Sequence, residues 1–239
     1  MGKRIITQRR GRGTFTYKAH SHRSKGKISN RIFDDSERNG IIEGRVLDIM
    51  HCSQHSAPLV LVGYGKSEVI MPAVHGIRMN DEVKIGFGSE IKKGNIMQLK
   101  DIPEGTDVCN IEASIGKPAF CRAAGSFAKI IGKQHDKVIL KMPSKKEREF
   151  DQNCRAMIGI VAGSGRRERP FMKAGNRHHL MRAKGKLYPR TSGVAMNAVD
   201  HPFGSGRGRH VGKSKVPPRN APPGRNIGLL AARRTGRKR

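Results

Sequence analysis

Residues 41–50 read Ile-Ile-Glu-Gly-Arg-Val-Leu-Asp-Ile-Met, and they are the first of several short stretches, rich in Val and Ile, that decide the fold. Such stretches, bounded by Gly, Pro, Asn or Asp, are typical of β-strands. The same pattern predicts further strands at residues 59–62, 67–71, 82–87, 95–99 and 108–113. Because short strands at regular spacing indicate a small barrel or sandwich, we expect one here.

A second set of strands follows a break at residues 114–116. These strands are predicted at residues 128–132, 137–142, 148–150 and 158–161. The sequence therefore predicts an all-β fold of two small barrels in tandem, with a boundary near Gly116. Residues 171–184 are a candidate short helix, although Gly175 and the two histidines that follow it weaken that assignment.

Positive charge gathers at the two ends of the chain. The 239 residues have a formal net charge of +29 and a pI of ≈ 10.9; the charge divides into +8 over residues 1–38, +3 over 39–159 and +18 over 160–239. The balanced middle can fold by itself, whereas the ends bury too little apolar surface to offset their ordering entropy. A polyanion must therefore accompany the ends, and nucleic acid is the usual partner of so basic a chain.

Membrane and disulfide-rich classes do not fit the sequence. No apolar run approaches the roughly 18 residues of a transmembrane helix, and neither a secretory h-region nor a basic amphipathic helix is present. We therefore expect a cytoplasmic protein with no membrane partner. The cysteines at positions 52, 109, 121 and 154 have no C-x-x-C spacing, which argues against a zinc ribbon and predicts reduced, partly buried thiols.

Small-ligand and metal sites also lack their full patterns. Gly-Lys-Ser at 65–67 and at 212–214 matches the end of a P-loop, but the Gly needed five residues earlier is Val60 or Arg207, so no small-molecule substrate is expected. His51, Cys52 and His55 have no second ligand pair nearby, so structural or solvated histidines are favoured over zinc. We expect no metal or cofactor apart from structural Mg²⁺ shared with RNA.

The most informative stretch is residues 193–210, Gly-Val-Ala-Met-Asn-Ala-Val-Asp-His-Pro-Phe-Gly-Ser-Gly-Arg-Gly-Arg-His. Its glycines allow close backbone approach, and Arg207 and Arg209 can each fork onto phosphates, which favours a loop threaded against RNA over a disordered Gly/Arg linker. Asp200 and His201 invite an acid–base mechanism, but no nucleophile accompanies them. We expect Asp200 instead to hold the His201 imidazole in one tautomer, with the next residue, a proline, keeping the backbone extended.

This loop resembles the glycine-rich His loop of the universal large-subunit ribosomal protein of the L-two family. Two further segments resemble the same family: Cys-Arg-Ala-Ala-Gly-Ser-Phe-Ala-Lys-Ile-Ile-Gly at 121–132 and Asn-Cys-Arg-Ala-Met-Ile-Gly at 153–159. Arg4, Arg9-Arg10 and Tyr-Lys-Ala-His-Ser-His-Arg at 17–23 are similar to the arm of its archaeal and eukaryotic branch. Many members have a second His where this chain has Phe203, and residues 217–239 replace the bacterial-type tail.

The resemblance implies an OB-like barrel followed by an SH3-like barrel, with long basic irregular extensions at both ends. The expected domains are a basic rRNA-binding arm at 1–38, the OB-like β-barrel at 39–116, the SH3-like β-barrel at 117–165, and a basic Gly/Pro/Arg-rich rRNA-binding extension at 166–239. It also implies a structural role in the large ribosomal subunit, in subunit association and in the architecture near the peptidyl transferase centre. Its partners are then large-subunit rRNA and other proteins of that subunit.

The expected rRNA contacts are mainly Lys, Arg and His side chains of the arm and of the extension, and no catalytic residue is predicted. They are Lys3, Arg4, Arg9, Arg10, Arg12, His20, His22, Arg23, Lys25, Arg166, Arg167, Lys173, Asn176, Arg177, His178, Arg182, Lys186, Arg190, Asn197, Asp200, His201, Gly204, Gly206, Arg207, Arg209, Lys213, Arg219 and Arg225. Two other classes of function stay open: a catalytic factor in which Asp200 and His201 perform acid–base chemistry, and a free RNA chaperone or membrane-surface protein.

Overall fold

Most regular structure in the chain is β. The computed structural model describes residues 2–166 and 168–233. Its strands are β1 (Ile41–Met50), β2 (Leu59–Tyr64), β3 (Ser67–Pro72), β4 (Glu82–Gly86), β5 (Ile96–Gln98), β6 (Asp107–Cys109), β7 (Ile111–Ser114), β8 (Lys117–Phe120), β9 (Ala128–Gln134), β10 (Lys137–Lys141), β11 (Glu147–Asp151) and β12 (Arg155–Ile158). The described helices are short: α1 (Ile6–Arg10), α2 (Asp35–Asn39) and α3 (Ala174–Ala183). The predicted all-β class is therefore confirmed.

One long sheet organises these strands. Its order is β11-β10-β9-β6-β12-β5-β4-β1-β2-β3, and β7 pairs separately with β8. Neighbouring strands of the long sheet are antiparallel, except that β4 and β5 run parallel where Ile85 meets Ile96. The order places β12 between β6 and β5, two strands that come much earlier in the sequence.

Two large hydrophobic clusters and one small cluster, Ile28, Cys52 and Leu59, form the core among the described residues. The three central strands contribute to both large clusters. The first contains Ile96 of β5, Cys109 of β6 and Met157 of β12, and the second contains their strand neighbours Met97, Val108, Ala156 and Ile158. Successive side chains of a strand point to opposite faces, so these strands are covered on both sides. The sheet and both clusters are consequently one cooperative structure that runs across Gly116.

The contacts divide the chain into two compact units. One unit is residues 21–171, here called the body, which contains all the strands named above; the other combines the chain up to His20 with the chain from Met172 onward, and is here called the terminal unit. Residues 21–38, expected to belong to the basic arm, are thus grouped with the body. Among the described residues of the terminal unit, Ile5 is the one buried hydrophobic side chain.

A buried ion network ties residues 30–37 to strands β7 and β12 of the body. The Arg155 guanidinium donates through Nη1 to both carboxylate oxygens of Glu37 at 2.9 Å, and through Nε and Nη2 to Glu112 Oε1 at 3.0 and 2.7 Å. Asn30 Nδ2 donates to the same Glu112 oxygen at 2.8 Å. Since Arg155, Glu37 and Glu112 are at most 2% exposed, the charges are held away from water. Burial raises the pKa of Glu37, while Arg155 opposes that rise.

Most predicted strands are present, with two informative differences. The prediction for β1 is confirmed residue for residue, but the strand expected at 158–161 lies instead at Arg155–Ile158. It begins with a buried arginine, and the ion network that makes this burial tolerable has no local sequence signal. The strand expected at 108–113 is two strands, because Asn110 between them adopts a left-handed φ of 49°. The candidate helix at 171–184 is confirmed as α3.

Candidate nucleic-acid interface

The terminal unit carries most of the excess positive charge. Over residues 1–20 and 172–239 the sequence has 23 Lys and Arg against a single acidic residue, Asp200. With Ile5 as its one described buried hydrophobic side chain, this unit has no apolar core to offset the repulsion among its cations. Its chemistry is therefore that of a surface made for a dense polyanion.

The start of the chain is held against the glycine-rich loop. The Lys3 backbone N–H donates to Val199 O at 2.7 Å, and Lys3 Nζ forms an ion pair with Asp200 at 3.3 Å. Ile5 follows as a buried side chain, and its N–H donates to the Gln8 side chain at 3.1 Å as α1 begins. These contacts fix the arm so that Arg9 and Arg10 at the end of α1 remain exposed.

The glycine-rich loop folds on itself through a tight set of backbone hydrogen bonds. The N–H groups of Asp200 and His201 both donate to Asn197 O, at 3.0 and 3.1 Å, and the N–H of Gly204 donates to His201 O at 2.8 Å. A Cβ on Gly193 would overlap the His201 ring, and one on Gly204 would overlap the Asn197 carbonyl. Both positions therefore need glycine because of close approach.

The structure places the His201 ring differently from the sequence-based expectation. Asp200 pairs with Lys3, whereas His201 Nδ1 accepts the backbone N–H of Phe203 at 3.0 Å. The expected Asp200–His201 hydrogen bond was wrong because consecutive residues in this turn project apart, and the nearby ammonium attracts the carboxylate. Burial lowers the pKa of His201. With Nδ1 accepting, the neutral ring carries its proton on Nε2 and can donate one hydrogen bond outward.

The predicted contact residues fall in both units. Every predicted Lys or Arg contact in the described ranges is exposed, while Arg167 lies outside the described residues. Arg4, Arg9, Asn197 and Asp200 line one cavity of about 370 Å³ in the terminal unit. The remaining predicted positions of this unit are Lys3, Arg10, Arg12, His20, Lys173, Asn176, Arg177, His178, Arg182, Lys186, Arg190, His201, Gly204, Gly206, Arg207, Arg209, Lys213, Arg219 and Arg225, and those of the body are His22, Arg23, Lys25 and Arg166.

Contacts in the body hold several of its predicted residues in place. His22 and Arg23 lie in a 3₁₀ turn, Ser21–Arg23, and Ser53 Oγ donates to Arg23 O at 3.4 Å. Arg166 Nη1 donates to Ser56 O at 2.6 Å. These contacts use the backbone carbonyl of Arg23 and one nitrogen of Arg166, so the Arg23 guanidinium and the other Arg166 nitrogens stay available to an anion.

Sequence reasoning missed the aromatic side chains beside these cations. Phe15 is 79% exposed and lies in edge-to-face contact with His20, with ring centroids 5.9 Å apart. Arg177 lies over the Tyr188 ring at 5.4 Å from the centroid. The stretch Phe-Thr-Tyr-Lys-Ala-His at 15–20 is a local sequence signal of rings among cations.

The cysteines are thiols, as predicted: three are buried and Cys121 is partly buried. Cys52 Sγ lies 3.1 Å from His55 Nδ1, but the described residues contain no group of three or more His, Cys, Asp or Glu side chains placed to hold a metal ion. None of the helices in the described ranges has the length and apolarity needed to cross a membrane.

Comparison with known proteins gives a consistent result. Residues 92–221 match the family model described as the C-terminal domain of ribosomal proteins L2. The chain is 51% identical to the large ribosomal subunit protein uL2 of Archaeoglobus fulgidus and 46% identical to that of Methanothermobacter thermautotrophicus, over all of each chain. It is 47% identical to uL2 of Haloarcula marismortui over 99% of this chain and 98% of that protein. The chain therefore belongs to the uL2 family of large ribosomal subunit proteins.

Proposed function

We propose that this chain is a structural constituent of the large ribosomal subunit that binds large-subunit rRNA. The observation that carries the proposal is the charge of the terminal unit, whose sequence has 23 Lys and Arg and one acidic residue. Ordering a residue costs about 1–2 kcal/mol in backbone entropy, and the one described buried hydrophobic side chain of this unit cannot offset that cost. Phosphates that neutralise the cations supply the missing stabilisation.

We propose that the body is the part of the chain that folds as two barrels. We assign residues 39–116 to an OB-like barrel and residues 117–165 to an SH3-like barrel. Two hydrophobic clusters support this assignment, and the second contains the buried side chains of β9, β10 and β11. Strands β5, β6 and β12 contribute side chains to both clusters and so join the two proposed barrels.

The proposed role is architectural, in the cytoplasmic ribosome, with other large-subunit proteins as neighbours and without catalysis by the chain itself. It includes support of subunit association and of the region near the peptidyl transferase centre. The pairing of Asp200 with Lys3 supports a positioning role for the loop, since an acid–base pair would need that carboxylate on the imidazole.

Salt dependence tests the proposed mode of binding. Each neutralised phosphate contributes about −0.9 to the slope of log K against log salt for duplex DNA, so about ten contacts give a slope near −9. Binding of the full chain to large-subunit rRNA should weaken steeply between about 50 and 300 mM KCl. A nearly flat line, or equal binding to heparin and to structured rRNA, contradicts the proposal and favours a non-specific chaperone.

Sedimentation of cell extract tests the assignment to the ribosome. On a sucrose gradient the chain should travel with large subunits and with joined ribosomes. A chain found wholly in the slow fractions with unassembled proteins contradicts the assignment.

A further inference from the structure

The terminal unit contains one cavity whose lining combines rings with cations. Its volume is about 310 Å³, within the range of about 300–1,000 Å³ that is usual for small-ligand pockets. Phe15, His20 and Tyr188 contribute rings, and His178, Arg182 and Lys186 contribute polar or cationic groups. No Asp or Glu lines it.

Phe15 is the ring of this cavity most open to stacking. It is 79% exposed, and its edge-to-face contact with His20 leaves most of the ring uncovered. Tyr188 is partly buried, and the Arg177 guanidinium lies over its ring at 5.4 Å from the centroid. The open face of Phe15 can be covered by another flat group. Base–aromatic stacking serves that purpose and tolerates any base, because every base has a π-face.

The cations of this cavity are placed to hold the phosphate of the same ligand. His178 and Arg182 are four residues apart on α3, so they lie on one face of the helix. Lys186 follows the end of the helix, where its backbone N–H donates to Met181 O at 2.9 Å. The guanidinium can fork onto phosphate oxygens and the ammonium can add a point charge.

The two chain segments that form the cavity are brought together at one glycine. Gly185 has φ +62° and ends α3 with a Schellman pattern, in which its N–H donates to Arg182 O at 3.0 Å. A Cβ at Gly185 would lie 2.6 Å from Tyr17 O and 2.8 Å from Ala19 N. The segment that carries Phe15 and His20 therefore packs backbone to backbone against the helix end, which makes the cavity a feature of the fold.

We propose that this cavity receives a single unstacked nucleotide of large-subunit rRNA, with its base against Phe15 and Tyr188 and its phosphate against Arg182 and Lys186. The proposal rests on the rRNA binding proposed above and adds a base-stacking contact to a surface otherwise dominated by phosphates. Folded RNA offers such nucleotides in loops and bulges, where bases are splayed out and stack on aromatic side chains.

The first test measures the affinity of the full chain for large-subunit rRNA. Phe15→Ala should weaken binding roughly 5- to 150-fold, the range expected when one base loses its stacking partner, with the salt slope unchanged because no charge is lost. Phe15→Tyr should retain near wild-type affinity. Arg182→Gln should instead reduce the magnitude of the salt slope by about 1. The matched control is Phe87→Ala, since Phe87 is a 58% exposed phenylalanine of the body.

The second test locates the contact. Ultraviolet crosslinking of the protein–rRNA complex, followed by mass spectrometry, should join Phe15 or Tyr188 to one nucleotide. The proposed pocket is overturned if Phe15→Ala binds rRNA as tightly as Phe87→Ala does, or if crosslinks are found only at other residues. In either case, a steep salt dependence of wild-type binding would leave the proposed rRNA binding intact. A flat salt response of the wild type itself overturns both proposals.

Discussion

Replacing Arg155 by Met tests whether the buried ion network holds residues 30–37 to the strands of the body. The change removes four hydrogen bonds of the side chain, one to each of the two Glu37 oxygens and two to Glu112 Oε1. It leaves two carboxylates buried without their shared cation. Removing one partner of a buried ion pair costs about 3–5 kcal/mol. A small domain has a total stability of about 5–15 kcal/mol, so the expected loss is a large part of the whole.

Urea unfolding of the full chain without RNA measures this loss. For an m-value near 2 kcal/mol/M, a loss of about 4 kcal/mol lowers the midpoint by about 2 M. The matched control is Lys137→Met, because Lys137 pairs with Glu149 on the surface at 2.7 Å, with side chains 63% and 57% exposed. Exposed pairs contribute about 0–1 kcal/mol, so this control should move the midpoint little.

The pH dependence of the free energy of unfolding tests the same prediction a second time, because the direction of the change with pH is also predicted. Burial already raises the pKa of Glu37 and Arg155 opposes the rise, so removing Arg155 raises that pKa further. A carboxyl whose pKa is higher in the folded state than in the unfolded state binds protons more readily in the folded state. The free energy of unfolding therefore increases as pH falls from the folded-state pKa towards the unfolded-state pKa. Arg155→Met should therefore recover part of its loss on going from about pH 8 to about pH 5. A loss below about 1 kcal/mol at neutral pH, or a loss that does not depend on pH, refutes the reasoning.

Three further predictions concern the glycine-rich loop. His201→Gln should impair assembly or subunit joining while single-turnover peptide-bond formation in correctly assembled particles stays within a few-fold of wild type; a loss of about 100-fold or more would instead indicate acid–base catalysis. Gly193→Ala should displace the His201 ring and weaken rRNA binding, checked beside Gly175→Ala, since a Cβ at Gly175 meets no atom within 4 Å and the φ of Gly175 is not left-handed. The NMR titration of His201 should give a pKa below the ordinary value of about 6.5, because burial disfavours the charged ring, and an elevated pKa would contradict that environment.

The sequence predicts the class of fold well because its signals are local. The β1 strand, bounded by glycine and histidine neighbours and rich in Ile and Val, begins and ends where predicted. The start of β12 was not predictable, because Arg155 is buried only through carboxylates 43 and 118 residues away. The split at Asn110 likewise depends on a hydrogen bond from its side chain to Asn30, 80 residues away.

The candidate interface was predictable in composition but not in arrangement. Counting charges along the chain is enough to place the basic surface at the two ends. Two contacts of this surface join residues that are far apart in sequence: Lys3 pairs with Asp200, and Gly185 packs against Tyr17. No local sequence pattern predicts either contact. The stacking pocket was missed for the same reason, since Phe15 and Tyr188 become neighbours of the same cations only when the terminal unit is folded.

Amide hydrogen exchange on the full chain, with and without large-subunit rRNA, tests the central claim most directly. Without RNA, protection should be confined to the part of the body at roughly residues 39–160, because the strands and the two large hydrophobic clusters lie there. With rRNA bound, amides of the glycine-rich loop and of α3 should become protected as phosphates neutralise the terminal unit. Strong protection of residues 2–20 and 172–233 without RNA, or no gain of protection on binding, would contradict the claim that rRNA orders this surface.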